Sequence, residues 1–283
     1  MNIEHIRSFL EVVSTGSFQQ AAEDLNITQS TMSARIKTLE ESLNRQLFNR
    51  KRTGVSLTSG GQAFYSYALS VVRVWETART VVGMPDGFDS HVKLGLQLNH
   101  WSAIASPWIN WMEENCAGSV TQVRSDYSDR LMALLRDGEI DVAVLYEAKK
   151  NPGLVVENYG KEKLVLVGTT ARAVCDSNVP GYVYVDWGRR FRLDHAHAFP
   201  NTRNHRLFIG LAAVALEHVL TRGGSGYFMQ SQVEQYLEDG RLVRVKDAPV
   251  LELQIHLAYF QEGDLSAELL TAIQGLHSVR QQI

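Results

Sequence analysis

Apolar and polar positions change their period along the 283 residues, and each change predicts a different element. From Ser17 the chain reads SFQQAAEDLNITQSTMSARIKTLEESLNRQLFNRKRTGVSLT. Ser17 with Gln20 forms an S-x-x-Q capping box, so a helix starts there with Ala21, Ala22 and Leu25 on its buried side. Asn26 and Ile27 make a short turn, and Thr28 caps the next helix. That second helix sets Met32, Ile36, Leu39 and Leu43 on one stripe. Its opposite side carries Ser30, Ser33, Ala34 and Lys37, with Gln29, Thr31 and Arg35 beside them. Small hydrogen-bonding side chains on an outward helix face suit close approach to base edges in a major groove. The pattern predicts a helix-turn-helix that reads double-stranded DNA.

A basic hairpin follows. Leu47-Phe48 and Val55-Ser56-Leu57 read as short strands joined through Arg50, Lys51, Arg52, Thr53 and Gly54. No Asp or Glu occurs between Glu41 and Glu76, whereas Arg45, Arg50, Lys51, Arg52 and Arg73 do. A one-sign tip beside a recognition helix is placed to neutralise phosphates. From Thr58 the period changes again: Phe64, Ala68, Val71, Trp75, Ala78 and Val82 recur at spacings of four, three, four, three and four. This heptad pattern predicts a dimerisation seam on a helix about 30 Å long. Gly83-Met84-Pro85-Asp86-Gly87 then breaks the helix and reads as a hinge.

Beyond the hinge, strands alternate with helices. His91 to Leu98 is a half-buried strand, and Ser102 caps a helix carrying Ile104, Trp108, Ile109 and Met112. Val120 to Arg124 is a strand, Ser128 caps a helix ended by Asp137-Gly138-Glu139, and Ile140 to Leu145 is a third strand. This order predicts right-handed crossovers and a mostly parallel sheet. A second unit has strands at Leu164 to Val167, Tyr182 to Val185 and near Leu207, and a helix from Leu211 to Leu220. Gly223-Gly224-Ser225-Gly226 leads to a strand at Tyr227 to Met229; a helix from Val233 to Leu237, a strand from Leu253 to Tyr259 and a helix from Leu265 to Val279 follow. The expected class is α/β with an N-terminal all-α winged helix-turn-helix, a long linker helix and a bilobed domain. Residues 1–58 would form the DNA-binding domain, 59–87 the linker helix and hinge, and 88–283 the effector-binding domain. Its first lobe would take about 88–161 and 253–283, and its second about 162–252.

Charge and candidate chemistry refine this picture. The net charge of −3 hides nine basic and nine acidic residues in 1–90, the basic ones crowding the wing, and 19 basic against 22 acidic in the remainder. The C-terminal part would not itself seek nucleic acid. Cys116 and Cys175 imply no disulfide framework. The start Met-Asn-Ile-Glu-His lacks a signal-peptide pattern, and no run approaches eighteen apolar residues, so a cytoplasmic protein without a membrane partner is expected. His195-x-His197 could pair two metal ligands on a strand, but it has only the adjacent Asp194 as a partner and reads instead as a polar loop. Gly223 to Gly226 has neither nucleotide-binding spacing, and no G-x-S-x-G elbow or Cys–His dyad occurs. No cofactor, metal or catalytic residue is therefore expected. A DNA-binding domain fused to a small α/β enzyme and an architectural DNA-binding protein without effector are the alternatives.

The same residues carry a family resemblance. Phe9, the S-F-x-x-A-A-x-x-L run from Ser17, the T-Q-S-x-x-S run from Thr28, Leu39-Glu40, Leu47-Phe48-x-Arg50 and Leu57-Thr58-x-x-Gly61 resemble the N-terminal domain of LysR-type transcriptional regulators. Asn44 replaces the usual glycine after the recognition helix, and Ser30 stands where many members have proline. The D-G-E-I-D-V-A-V run from Asp137 and the D-G-R-L-V-R-V run from Asp239 resemble sites in the family's effector domains. Chain length and Asp186-Trp187-Gly188 also resemble the subgroup that includes the enterobacterial repressor of the flagellar master operon. The resemblance implies a periplasmic-binding-protein-like effector domain, a dimer or dimer of dimers, and RNA polymerase as a candidate partner. In α/β sheets ligands sit at strand carboxyl ends near helix N-termini. That rule selects Asn99, His100, Trp101 and Ser102, then Asp126, Tyr127 and Ser128, then Tyr146, and in the second lobe Trp187, Thr202 and Arg203. The expected effector is a small organic acid or amino acid, its carboxylate at the helix begun by Ser102 with Arg203 as counter-charge. Trp101 and Trp187 would form its wall.

Overall fold

The structure is a computed structural model that describes residues 2–51, 54–171, 181–200, 206–261 and 265–280. It opens with α1 (Ile3–Thr15), α2 (Phe18–Asp24) and α3 (Gln29–Ser42). Each helix starts on a side-chain acceptor: Asn2 for Glu4 N, Ser17 for Gln20 N, and Thr28 for Thr31 N. These caps satisfy N–H groups that have no partner inside the helix. The capping box of α2 is only half made. Gln20 donates to Asp24 at 2.9 Å, and the Ser17 N–H goes to the Thr15 hydroxyl. Asn26 and Asn44 take φ values of 53° and 47°, the left-handed conformation that asparagine tolerates where these helices end. Ile6, Phe9, Leu10, Ala21, Ala22, Met32, Ile36 and Leu39 are buried together, whereas Leu43 lies at the edge.

β1 (Phe48–Lys51) and β2 (Gly54–Leu57) form the antiparallel wing, with Phe48 opposite Leu57. Glu40 of α3 accepts from the backbone N–H groups of Leu47 and Phe48 at 2.7 and 3.3 Å, which ties the wing to the recognition helix. Thr58 caps the 24-residue α4 (Ser59–Val82). Gly61 lies so close beneath the wing that a Cβ would collide with the Leu47 carbonyl oxygen.

The seam reading of α4 needs correction in its first half. Ala68 is wholly buried in its own chain, and Phe64 packs on Phe9 with ring centroids 5.2 Å apart. A second copy cannot reach Ala68. The first half of α4 is spent on covering α1 and the following domain, so the free stripe sits one residue earlier. Tyr67, Val74 and Val81 are exposed, with Trp75, Ala78 and Val82 beside them; Val82 reaches 88% exposure.

The remainder contains β3 (Ser90–Gln97), a wide π-type turn (Trp101–Ala105), α5 (Ser106–Asn115), β4 (Ser119–Asp126), α6 (Ser128–Arg136), β5 (Val142–Leu145) and β6 (Leu154–Gly168). Then come β7 (Val183–Val185), α7 (Arg189–Ala198), β8 (Leu207–Ile209), α8 (Ala212–Arg222), β9 (Ser225–Met229), α9 (Gln230–Glu238), β10 (Val243–Arg244), β11 (Leu251–Phe260) and α10 (Ala267–Arg280). The sheet runs β10-β6-β11-β5-β3-β4, with β9 also on β6. Within this sheet β4-β3-β5 is the parallel part; β6 and β11 pair antiparallel over ten positions. In the second lobe the parallel pairing is that of β7 with β8, in a separate two-stranded sheet. Two long strands span both lobes, one leaving and one returning, and opposite directions follow from that path. α7 is also a correction: His195 and His197 lie on a helix, not in a polar loop.

Strand alternation divides the first lobe's packing cleanly. Val92, Leu94, Leu96, Val142, Val144 and Leu257 join the cluster of α5, α10 and the second lobe. Ala143, Leu145, Ala258 and Phe260 join the cluster that contains α6, α4 and the helix-turn-helix core. One hydrophobic core therefore runs from the DNA-binding helices into the effector domain. Arg136 crosses that junction. Its guanidinium donates to Glu11 of α1 at 2.6 Å and to Asp137 at 2.8 and 3.1 Å. Burial opposes its charge, but Asp137 and Glu11 more than offset this and hold it protonated. Removing one partner of such a buried pair costs about 3–5 kcal/mol.

Gly61→Ala should destabilise the protein by at least about 1–3 kcal/mol through forced displacement of the wing. A lower urea midpoint with an unchanged slope is the expected readout.

Candidate DNA-reading face and effector cleft

On α3 the buried stripe of Met32, Ile36 and Leu39 turns Gln29, Ser30, Thr31, Ala34 and Lys37 to the outside. Ser33 is half-buried at the edge. The Thr28 hydroxyl lies 2.8 Å from both the Ser30 and Thr31 hydroxyls, so the first turn presents a connected hydroxyl cluster. Lys37 lies 3.7 Å from Glu41, an exposed i,i+4 pair that leaves its ammonium free to exchange partners. Arg35 is a correction. Its guanidinium lies 3.5 Å from Glu4 and 3.3 Å from the Ser8 hydroxyl, so it holds α3 on α1 instead of facing outward. Thr38 and Glu41 share the outward face and were missed. Arg50 and Lys51 occupy β1, of which only the backbone is described there; Arg52 and Thr53 lie outside the described residues.

At the strand ends of the effector domain, Asn99, Asp126 and Ser128 of the expected cleft residues are already engaged by the protein itself. Asn99 crosses to the second lobe, where its side-chain oxygen accepts from Ala212 N at 2.9 Å, the first residue of α8. Glu147, which the sequence reading did not select, accepts from Arg190 N in the first turn of α7 at 3.0 Å. Two glycines admit close contact: a Cβ on Gly210 would stand 2.9 Å from the Tyr127 hydroxyl, and one on Gly188 3.9 Å from the Tyr146 ring. Asp126 accepts from the following backbone N–H at 2.7 Å. Ser128 does not cap α6, whose N-cap is Tyr127. Its hydroxyl donates to Gln97 at 2.8 Å and accepts from Tyr146 N and Glu147 N at 3.2 Å, binding three loops at one point.

Ser102 is not at the start of its helix: the π-type turn begins at Trp101 with His100 at the N-cap position, and Trp101 and Ser102 are described by their backbone alone. Trp187 is fully buried with its indole N–H on the Tyr227 carbonyl at 3.1 Å, so it is core and not a ligand wall. Thr202 and Arg203, with Asn201, lie outside the described residues, as does Cys175. His195 sits among Tyr184, Phe191, Phe199 and Tyr227 and lies 2.8 Å from the Tyr182 hydroxyl. Among the described residues no group of three His, Cys, Asp or Glu side chains is arranged for a metal.

Open space remains beside the hinge strands. A 350 Å³ recess is lined by His100, Ile104, Glu162, Gln230, Ser231 and Ile255, among others. Burial lowers the His100 pKa to about 4, so the ring is neutral. Burial also raises the Glu162 carboxyl, although Ser231 donates to it at 3.1 Å. Nothing in the pattern of β6 marked Glu162, since it lies between Lys161 and Lys163 in a stretch that reads as a solvated edge.

A winged helix-turn-helix continuous with a two-lobed α/β domain defines a DNA-binding regulator with a sensor domain. Residues 3–62 match the model of the bacterial regulatory helix-turn-helix protein, lysR family, and residues 86–280 match the LysR substrate binding domain. The chain belongs to the LysR family of transcriptional regulators. It is similar to the HTH-type transcriptional regulator HdfR of Escherichia coli O17:K52:H18, at 26% identity over 270 residues, covering 94% of this chain and 95% of that one. HdfR of Salmonella schwarzengrund is 26% identical over 268 residues, covering 93% and 94%, in keeping with the subgroup resemblance. Among solved structures, the fold is similar to full-length LysG of Corynebacterium glutamicum with bound effector Arg, with a TM-score of 0.62, 20% identity and coverage of 100% and 99%. It is also similar to Vibrio fischeri DarR in complex with DNA, with a TM-score of 0.56, 16% identity and 99% of both chains covered. Among the described residues no helix is long and apolar enough to cross a membrane.

The neutral, buried His100 sets a pH dependence. Its folded pKa, about 4, lies below the unfolded 6.5, so the unfolded chain binds more protons between those values. Stability is full above pH 6.5 and falls as pH drops toward 4, by on the order of 3 kcal/mol. Urea unfolding across that range should show a flatter dependence for His100→Phe than for the unaltered chain.

Proposed function

We propose that this LysR-type regulator reads duplex DNA with the outward face of α3 and that α6 conveys the state of its effector domain to that face. The observation that carries this is the two-ended placement of α6. At its first residue, Ser128 gathers Gln97, Tyr146 and Glu147 at the interlobe cleft. At its last residue, Arg136 grips Glu11 in the DNA-binding domain. Nine residues of helix span about 14 Å, and a packed helix transmits displacement because its neighbours leave no voids to absorb it. An effector that binds one interlobe arrangement better shifts the whole chain toward it. LysG with its bound Arg supports a small-molecule effector by fold likeness, and the DNA complex of DarR supports DNA as the partner. In this reading the protein acts in the cytoplasm by binding alone, without turnover, and RNA polymerase is a partner at the promoter.

Gln29, Ser30, Thr31, Ala34 and Lys37 are the residues we assign to base edges, with Ser33 at their margin. Arg50, Lys51, Arg52 and Thr53 are assigned to the DNA backbone. Lys37→Ala should weaken operator binding by about 1–3 kcal/mol and relax preference at one base pair. Arg52→Ala should weaken binding to all sequences and reduce the salt slope by roughly one unit. Gel-shift titrations at several salt concentrations separate the two effects, and unchanged affinity in both variants would remove the assignment.

Self-association is assigned to the free stripe of α4. We retain Trp75, Ala78, Val82 and the half-buried Val71 from the heptad and add Tyr67, Val74 and Val81 in place of Phe64 and Ala68. Val74→Glu, which alters nothing buried in the protomer, should shift sedimentation from dimer or larger toward monomer. An unaffected oligomer would move the seam elsewhere.

A further inference from the structure

We propose that the recess between the π-type turn and α9 binds a small aliphatic L-amino acid as a zwitterion, its ammonium group on Glu162 and its carboxylate on the first turn of α9. This rests on the reading that the lobes enclose an effector, and it moves the effector from the strand ends to the hinge. At the strand ends the protein has already placed its own acceptors on the helix N-termini, Asn99 on α8 and Glu147 on α7. The nine-residue α9 has no such acceptor: its N-cap is Met229 and no side chain caps it. Its first residues, Gln230 and Ser231, line the recess. Uncapped N–H groups and the helix dipole favour a carboxylate there.

The ammonium end follows from a second set of groups. His100 lines the recess, is 2% exposed, and its Nε2 has no hydrogen-bond partner. Tyr146 meets His100 edge-on with ring centroids 5.1 Å apart, and its buried hydroxyl is also unpartnered. Buried polar atoms of this kind ordinarily find a partner. Lys161, Lys163 and Arg280 also line the recess, but Lys161 pairs with Glu252 at 3.3 Å, Arg280 donates to the Asn158 carbonyl at 3.0 Å, and among the described residues no ion pair is formed to Glu162; neutral His100 offers it no charge. An ammonium supplies an ion-pair partner for Glu162 and a donor for the unpartnered imidazole nitrogen that lines the recess. Ser231 bonds to Glu162 at 3.1 Å and so links the two ends. Ile104 and Ile255 leave an apolar strip for an aliphatic side chain.

Full-length protein should be titrated with each of the twenty L-amino acids by thermal shift, and any hit measured by calorimetry. The expected result is binding by at least one aliphatic member. Its deaminated acid and its decarboxylated amine should each bind at least tenfold more weakly. Glu162→Gln and Ser231→Ala should weaken binding at least tenfold while Asn99→Ala does not; urea midpoints verify that the variants fold. No binding by any of the twenty, or binding untouched by Glu162→Gln and Ser231→Ala together, overturns the site. Operator footprints recorded with the bound amino acid on Arg136→Met test the coupling through α6 separately. Binding without any footprint change in the unaltered protein leaves the site standing and overturns the regulatory reading. A footprint that responds to other metabolites, with no amino acid bound, does the reverse.

Discussion

Burial of Arg136 between Glu11 and Asp137 is the constraint on which the arrangement of the chain depends. A guanidinium with so little water must keep its carboxylates, because the penalty for leaving it unpaired exceeds what the surrounding contacts supply. The pair thus fixes the distance between α1 and the end of α6. Around it the apolar residues of α4, α6 and the first-lobe sheet close into one cluster with the helix-turn-helix core. Gly138, turned at φ 71°, lets the loop after α6 settle against the backbone of Arg73, where a Cβ would stand 2.9 Å from its Cα. Lys93 adds a tie from β3, reaching the Gly138 carbonyl at 3.1 Å and the Thr80 hydroxyl of α4 at 3.4 Å. DNA-binding and effector domains are consequently joined by packing as well as by the linker.

The hinge gives the opposite property to the other side of the effector domain. β6 and β11 continue through both lobes, and their register shifts between Ile255 and His256. A register shift concentrates bending and leaves backbone groups less regularly paired. Beside these strands the lobes are bridged by the hydrogen bonds of Asn99 to α8 and Glu147 to α7. Each of these contacts is a single hydrogen bond worth about 0.5–1.5 kcal/mol net, small enough for a ligand's differential affinity to outweigh. A stiff junction at one end of α6 and an easily rearranged one at the other are what a transmission element requires.

Local chemistry made the DNA-binding part legible. Caps at Ser17 and Thr28, the buried stripe of α3 and the antiparallel wing all depend on residues within a few positions of one another. The strand and helix order of the effector domain was legible for the same reason, since alternation and helical periodicity are local. Errors arose wherever a side chain had a choice among distant partners. Arg35 fits an outward helix flank by spacing, yet Glu4 and Ser8 of α1 claim it. Trp187 fits a ligand wall by its place after a strand, yet the Tyr227 carbonyl and the second-lobe core take it. α7 was missed because its polar, histidine-rich run has no clear apolar stripe; Phe191 and His195 alone are buried.

By itself the sequence determined the regulator's class: period, capping residues and one-sign charge act over a turn or two of chain and need no distant partner. It determined the heptad on α4 as well, but not its phase. Heptad positions say that one stripe is apolar, and only packing against α1 and the first lobe decided that Ala68 faces inward while Val74 stays free. Tertiary structure alone decided the hinge recess. Glu162, Ser231 and His100 are separated by long stretches of sequence and come together because β6 crosses the lobes while β9 delivers α9 beside it. Pairing between strands that far apart follows from the packing of the whole sheet, and no local pattern encodes it.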